Sequence, residues 1–374
     1  MWRILLLVLL LGAPGVDAQL QVSPPSIAAR SWLLYDLQSE QTIVHRADAE
    51  RVEPGPLTQL MTAYAVFEAI NQKEFALERA LQVSPQAVRT PGARMYLQPD
   101  TRVSADELLR GMIAVLANDA AVTLAQGVAG SEPAFVERMN AHARRLGLNA
   151  TQFANATGRP HPRQYSTAID LAKLAAALVR EFPQYLPLYQ LRGFTYRGIT
   201  QPNPNWLLGR DPRVDGLTTG FTEDGGYSII ATAEREGRRL LAIVIDADSE
   251  KLRAIQAQEL LNYGFQHTEA VRLAKQGATV AELVVWKGSQ KLLRAGTQRD
   301  VFASVARGQA GRLKVTLTSQ QPLIAPVSAQ QQVGVLNVSF DGKPLRGYPV
   351  VALEDVSVAS LFGRLWDGLR LLFH

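Results

Sequence analysis

Thr218 and Thr219, in the segment Asp215-Gly216-Leu217-Thr218-Thr219-Gly220, carry hydroxyls that could act as nucleophiles, yet the segment lacks what such chemistry requires. A threonine hydroxyl is a weak nucleophile until an adjacent base takes its proton, and no histidine or lysine stands in this stretch. Two further segments have the same character: Pro54-Gly55-Pro56-Leu57-Thr58-Gln59 and Leu116-Ala117-Asn118-Asp119-Ala120. Thr58 lies two positions after Pro56, about 200° around a helix, and so should face away from whatever Pro56 faces. The five histidines, His45, His142, His161, His267 and His374, are far apart and show no metal-ligand spacing. The sequence therefore implies no metal site and no cofactor.

The elements that must position these segments are legible from periodicity. From about Ser26 to Phe265 the pattern is mixed helix and strand. Ser31 to Asp36 is strand-like; Leu57, Leu60, Met61, Tyr64 and Phe67 mark an amphipathic helix. A second helix runs from an N-cap at Ser131 to a stop at Gly147, and Tyr227–Ile230 and Leu240–Ile245 read as core strands. After His267 the pattern becomes short alternating strands: Leu313, Val315 and Leu317 against Lys314 and Thr316, then Leu336, Val338 and Phe340 running into the hairpin signal Asp341-Gly342. The expected order is an α/β domain over residues 19–266 and a small β-sandwich over residues 267–354.

Both ends read as targeting segments. Arg3, the short apolar run Ile4–Leu11 and the small residues at Val16-Asp17-Ala18 predict a signal peptide over residues 1–18, the alternative being an uncleaved anchor. Residues 355–374 carry apolar side chains at Val358, Leu361, Phe362, Leu365, Leu369, Leu372 and Phe373, with Trp366 at the edge of the stripe and Arg364, Asp367 and Arg370 off it. That predicts an amphipathic helix, too short and too charged to span, lying either on a membrane surface or against the protein's own core.

The net charge of +5 (39 Lys and Arg against 34 Asp and Glu) survives removal of residues 1–18, which takes away Arg3 and Asp17. The charges are scattered, so nucleic acid is not an expected partner; an anionic membrane or cell wall is. With no cysteine, the exported chain uses no disulfides and suits a bacterial envelope. The Asn-x-Thr sequons at Asn149 and Asn155 would matter only in a eukaryotic secretory pathway.

This order of segments, together with Leu57-Thr58, Leu60-Met61-Thr62, Asn118-Asp119-Ala120, Val214-Asp215-Gly216, Thr219-Gly220 and Gly225-Gly226-Tyr227, resembles the low-molecular-mass penicillin-binding proteins, the serine D-Ala-D-Ala carboxypeptidases. The likeness covers nearly the whole chain after residue 18. It implies a β-lactamase-like transpeptidase domain of α/β (α+β) class, then a β-sandwich, then a membrane-surface helix.

In that family the site uses Ser-x-x-Lys, Ser-x-Asn and Lys-Thr-Gly. Carried over position by position, the nucleophile falls on Pro56, its base on Gln59, the second serine on Leu116 and the second lysine on Thr218, while Asn118, Thr219 and Gly220 are kept. Pro56 has no hydroxyl, Gln59 no ionisable group, Leu116 no polar atom and Thr218 no charge. Pro56 also removes an oxyanion N–H, leaving Phe221 as the candidate donor, a loss worth on the order of 10²- to 10³-fold in rate. Proline nonetheless suits a helix start, where φ near −65° is wanted and an N–H has no intrahelical partner. Asp248 stands where the family has an arginine near the substrate carboxylate; it would repel that group, or it is a plain solvated loop acid.

The resemblance thus implies a catalytically degenerate homologue in the periplasm of a Gram-negative bacterium, peripheral on the outer face of the inner membrane. It would act by binding, its partners stem peptides through a vestigial cleft of neutral character or cell-wall enzymes through the β-sandwich. The competing expectation is an active D-Ala-D-Ala carboxypeptidase with a displaced nucleophile.

Overall fold

A computed structural model describes residues 23–360. The expected signal peptide and the stripe from Leu361 to Phe373 lie outside the described residues. The chain forms two compact units, one spanning Pro24–His267 and one beginning at Thr268.

Along the first unit, β1 (Ala29–Asp36) pairs antiparallel with β2 (Gln41–Arg46). A 3-10 turn, Gly55–Thr58, leads into α1 (Gln59–Asn71). The short strands β3 (Ala80–Gln82) and β4 (Arg102–Ser104) pair around α2 (Pro85–Arg89). Then come α3 (Ala105–Val115), α4 (Asn118–Ala129), α5 (Glu132–Arg145), α6 (Ala168–Glu181) and α7 (Leu186–Tyr189). A hairpin of β5 (Gly193–Tyr196) and β6 (Ile199–Pro202) precedes β7 (Val214–Thr222), β8 (Gly226–Arg235), β9 (Arg238–Ala247) and α8 (Glu250–His267).

The central sheet runs β2-β1-β9-β8-β7, antiparallel throughout, with β7 at an edge. Ser228–Ala233 and Leu240–Ile245 are buried without alternation, as strands covered on both faces must be. α8 packs on one face so closely that a Cβ added at Gly264 would lie 2.6 Å from Leu240 and 2.8 Å from Leu34.

The sequence predicts α1 as an amphipathic helix, and the structure differs. Every residue from Gln59 to Phe67 is buried, because α3, α4, α5 and α6 all pack around it. The positions off the expected stripe are filled by Gln59, Thr62, Ala63, Ala65 and Val66, and the Thr62 hydroxyl donates to the Ala156 carbonyl at 2.6 Å. Two alanines, a valine, a satisfied hydroxyl and the hydrogen-bonded amide of Gln59 let this part of the helix be enclosed on all sides. α5 is capped as expected, the Ser131 hydroxyl accepting from the Ala134 N–H at 3.3 Å.

The second unit contains β10 (Thr268–Ala274), β11 (Thr279–Trp286), β12 (Leu292–Gly296), β13 (Val301–Ala306), β14 (Leu313–Ser319), β15 (Leu323–Ile324), β16 (Gln332–Phe340) and β17 (Lys343–Ala352). A sheet ordered β14-β16-β17-β12-β11-β15 and the pair β10-β13 share one core, in which Val301 and Ala303 meet Leu283, Leu293, Val333 and Val350. Asp341 and Gly342 turn the β16–β17 hairpin at φ 50° and 77°, the positive pair that a two-residue hairpin turn needs. Edge strand β14 departs from expectation: Val315 is exposed and Leu313 and Leu317 are half-buried.

Residues 355–360 are not helical. Val356 bridges to Val327, Val358 bridges to Gly288, and the Ala359 N–H donates to the Lys287 carbonyl at 2.8 Å. Backbone groups spent on strand pairing cannot also close helical turns, so a helix beginning at 355 is excluded for the described part of this segment. No helix among the described residues is long and apolar enough to cross a membrane.

Candidate functional site

Pro56, Leu116, Asn118 and Phe221, from three separate segments of the chain, line one cavity of about 630 Å³ together with Pro91, Gly92, Thr157, Arg159, Thr222, Glu223 and Asp224. Pro56 occupies the 3-10 turn ahead of α1, where its missing N–H leaves nothing unsatisfied. Leu116 caps α3 in the left-handed region, φ 58° and ψ 34°, and turns the chain directly into α4. Asn118 is the first residue of α4 and is buried.

Behind this lining sits Gln59, which is 4% exposed. Its Nε2 donates to Asn118 Oδ1 at 2.8 Å and to the Leu116 carbonyl at 3.2 Å, with the Thr157 carbonyl at 3.5 Å. Its Oε1 is buried with no partner among the described residues. Three acceptors thus converge on an amide with two protons, while the amide's own acceptor is orphaned. An ammonium, with three protons and no acceptor, would satisfy the same surroundings completely. The Asn118 amide donates onward to the Pro91 carbonyl at 2.7 Å, and the Asn118 N–H donates to the Ala93 carbonyl at 2.7 Å.

Asp119 plays a structural part. Its carboxylate accepts from the Met95 and Leu97 N–H groups, both at 3.0 Å, tying the segment before β4 to the start of α4.

Strand β7 carries the third segment. Thr218 and Thr219 do not line the cavity; they are 6% and 1% exposed. Thr218 faces a small void of about 10 Å³ shared with Gln59, Leu116 and Tyr189. The hydroxyls of Thr219 and Tyr189 are buried without partners among the described residues, and burial pushes the Tyr189 phenol well above its ordinary range. A Cβ added at Gly220 would lie 3.1 Å from Pro56 Cδ, so β7 runs against the 3-10 turn at that glycine. Asp248 is exposed after β9 and is not among the residues lining the cavity.

Three features of the site have no local signal in the sequence. Arg253 of α8 is 3% exposed and donates to the Gly220 carbonyl at 2.8 Å and the Pro204 carbonyl at 3.1 Å, holding β7 in place; burial lowers its pKa. Glu53 approaches the cavity from behind: the Thr222 hydroxyl donates to its Oε2 at 3.3 Å and accepts from the Gly225 N–H at 2.8 Å.

The third is the loop from Asn155 to Pro160. Asn155 Oδ1 accepts from the N–H groups of Thr157, Gly158 and Arg159 at 3.2, 2.8 and 3.1 Å. Gly158, at φ 88°, is pressed so close to the 3-10 turn that an added Cβ would lie 1.8 Å from Gly55 O and 2.8 Å from Pro56 N. Arg159 follows and reaches the cavity with an exposed side chain. The cleft is therefore charged at its lining, carrying Arg159, Glu223 and Asp224, where the sequence predicts a neutral one. Neither Pro56-to-Gln59 nor β7 supplies those charges, so the motif positions carry no sign of them.

A second cavity, of about 560 Å³, is lined by Arg192, Asp211, Arg213, Asp215 and Glu234 among others. Much of its charge is internally paired: Arg213 with Asp211 at 2.5 Å, and Arg239 with Asp215 at 2.7 Å and Glu234 at 2.5 Å. The Arg213 guanidinium holds the Asp211 carboxyl below the usual range, whereas burial raises that of Asp215 despite its arginine. Among the described residues no group of three His, Cys, Asp or Glu side chains could hold a metal ion.

Residues 18–249 match the family described as D-alanyl-D-alanine carboxypeptidase, and residues 269–358 match the penicillin-binding protein 5 C-terminal domain. The chain is 35% identical over 375 residues to the D-alanyl-D-alanine carboxypeptidase DacC of Escherichia coli, covering 98% of this chain and 94% of the relative. It is 33% identical over 358 residues to DacA of Escherichia coli, covering 94% and 89%. Among solved structures, penicillin binding protein 5 from Haemophilus influenzae superposes with a TM-score of 0.85 at 31% identity, over 90% of this chain and 99% of that one. On this match of sequence, domain order and fold, the chain belongs to the D-alanyl-D-alanine carboxypeptidase family.

Proposed function

We propose that this chain is a non-catalytic member of its family, a periplasmic protein of a Gram-negative cell envelope that binds peptidoglycan stem peptides in its cleft without hydrolysing them. Its C-terminal segment holds it at the outer face of the inner membrane.

The observation that carries this reading is what stands at positions 56 and 59. Pro56 lines the cavity and offers neither hydroxyl nor N–H, and Gln59 spends its amide protons on Asn118 and the Leu116 carbonyl. Neither residue can form an acyl-enzyme or take a proton. The acceptor set around Gln59 matches an ammonium better than an amide, which supports the view that a basic residue has been replaced there. Of the two hydroxyl-bearing residues that line the cavity, Thr157 and Thr222, that of Thr157 is engaged: it donates to Asn155 Oδ1 at 3.0 Å and accepts from the Arg159 N–H at 3.3 Å.

The test is covalent labelling. Purified protein incubated with a fluorescent penicillin and then denatured should show no labelled band, while an active carboxypeptidase run alongside does. A band that survives denaturation overturns the reading.

A second reading, an active hydrolase with a displaced nucleophile, has one observation in its favour. Thr222 lines the cavity and its hydroxyl donates to the Glu53 carboxylate, a nucleophile within reach of a base. Under that reading the label appears and is lost in both Thr222→Val and Glu53→Gln.

A further inference from the structure

Arg159 differs from most arginines of its domain in how it is held. Its N–H donates to Asn155 Oδ1 at 3.1 Å and to the Thr157 hydroxyl at 3.3 Å. Its carbonyl accepts from Asn155 Nδ2 at 2.9 Å and from Gln164 Nε2 at 3.1 Å. Asn155 and Gln164 are both buried, and the following Pro160 further restricts the Arg159 backbone. The main chain is pinned on both sides, next to a glycine packed against Pro56.

The side chain is the opposite case. It is exposed to the cavity, and among the described residues the guanidinium has no hydrogen bond or ion pair. By contrast Arg213, Arg238 and Arg239 are all committed to carboxylates. A cation fixed at its root and free at its tip is organised for an incoming anion, and guanidinium presents a planar fork suited to carboxylate.

Arg159 is the one basic residue in the lining of this cavity. The Thr218 position, neutral and buried, can contribute no charge. Glu223 and Asp224, at the tip of the β7–β8 turn, line the same cavity and bring two carboxylates. A ligand anion is thus drawn to the 155–160 loop and excluded from the turn, and an ammonium is drawn to the turn.

We propose that the cleft binds a zwitterionic peptide, with a carboxylate on Arg159 and an amine-bearing side chain toward Glu223 and Asp224, so that carboxylate recognition resides in the 155–160 loop rather than on β7. The proposal rests on the non-catalytic reading of this cleft for its ligand class. A cavity of about 630 Å³ is of the size that encloses a short peptide end.

The probe is the synthetic peptide Nα-acetyl-Lys-D-Ala-D-Ala, with a free terminal carboxylate and a free side-chain amine. It is compared with its C-terminal amide and its Nε-acetyl form by isothermal titration, and free D-alanine is assayed in the same samples. Amidation and Arg159→Ala should each weaken binding on the order of tenfold to a hundredfold, the range for losing a charged hydrogen-bonded pair. Arg159→Ala should bind the acid and the amide equally, and Arg159→Lys should restore part of the discrimination. The double variant Glu223→Gln, Asp224→Asn should lose the preference for the free amine. Unchanged thermal melting of these exposed-site variants shows that they fold. A wild-type protein that ignores both acid and amide, or an Arg159→Ala variant that keeps the wild-type ratio between them, overturns the proposal. Release of D-alanine overturns the non-catalytic reading alone, and the dependence on Arg159 is still read from the same titrations.

Discussion

Gln59 Nε2 and Asn118 Oδ1 meet at 2.8 Å in a pocket that offers three acceptors to a group with two protons to give. The mismatch makes position 59 a sensitive point. Gln59→Leu leaves those acceptors buried and unpaired and should cost roughly 1–3 kcal/mol. Gln59→Lys satisfies all three and removes the orphaned Oε1, against the cost of burying a charge. Urea denaturation at pH 7 should rank Gln59→Lys as more stable than Gln59→Leu, and the reverse order would refute an ammonium-shaped pocket.

Gly158 is irreplaceable on steric grounds. Alanine there would need φ 88° and a Cβ 1.8 Å from a backbone oxygen. Relief requires moving the loop away from the 3-10 turn, at a cost on the order of 3 kcal/mol or more. Gly237→Ala is the control: its φ is 76°, but nothing lies within 4 Å of an added Cβ, so it pays the backbone term alone, about 1–2 kcal/mol. Paired denaturation curves separate the two contributions.

His142 on α5 sets an acid limit. Burial, followed by the Arg145 charge, lowers its pKa, and its ring stands edge-on to Tyr64 with centroids 5.5 Å apart. Its folded value lies below its unfolded one of about 6.5, so the unfolded state binds the extra proton first. Stability is unaffected above that pH and falls as the pH drops below it. Melting temperatures between pH 7 and pH 5 should decline in the wild type and decline less in His142→Gln.

Much of the fold is legible in the sequence because its long elements keep one period. The runs at Tyr227–Ile230 and Leu240–Ile245, the cap at Ser131 and the turn at Asp341-Gly342 each follow from local chemistry. The enclosure of α1 is not legible, since Ala63 and Ala65 look like a solvent face until four helices cover them. At the site, Pro56, Leu116 and Asn118 are found by spacing, but Arg159 is not. It reaches the cleft through an asparagine hub and a glycine contact that connect residues about a hundred positions from Pro56, and no local pattern encodes that contact. The threonines of β7 are buried: Thr218 lies on the same side of the strand as Gly220, the residue that meets Pro56, and packs toward Gln59 and Leu116.

Where the tail begins changes how it should be cut. Val356 and Val358 belong to the β unit through their bridges to Val327 and Gly288. Deleting residues 361–374 should leave the melting temperature unchanged and abolish cosedimentation with anionic vesicles. Deleting from Ser357 onward should in addition lower the melting temperature, since it strips the bridge at Val358. Retained vesicle binding after the shorter deletion would refute a membrane role for the tail.

The asparagine hub also governs how the protein can be manufactured. Asn149 and Asn155 both sit in sequons, and secretion from a eukaryotic host would present both to oligosaccharyl transfer. Asn149 is exposed and can carry a glycan. Asn155 is buried, and its Nδ2, the atom that would be glycosylated, is bonded to the Arg159 carbonyl. A sugar there can be attached only before the loop closes, and it would then keep the loop open, so material from such a host should be a mixture of folded chains modified at Asn149 alone and cleft-defective chains modified at both.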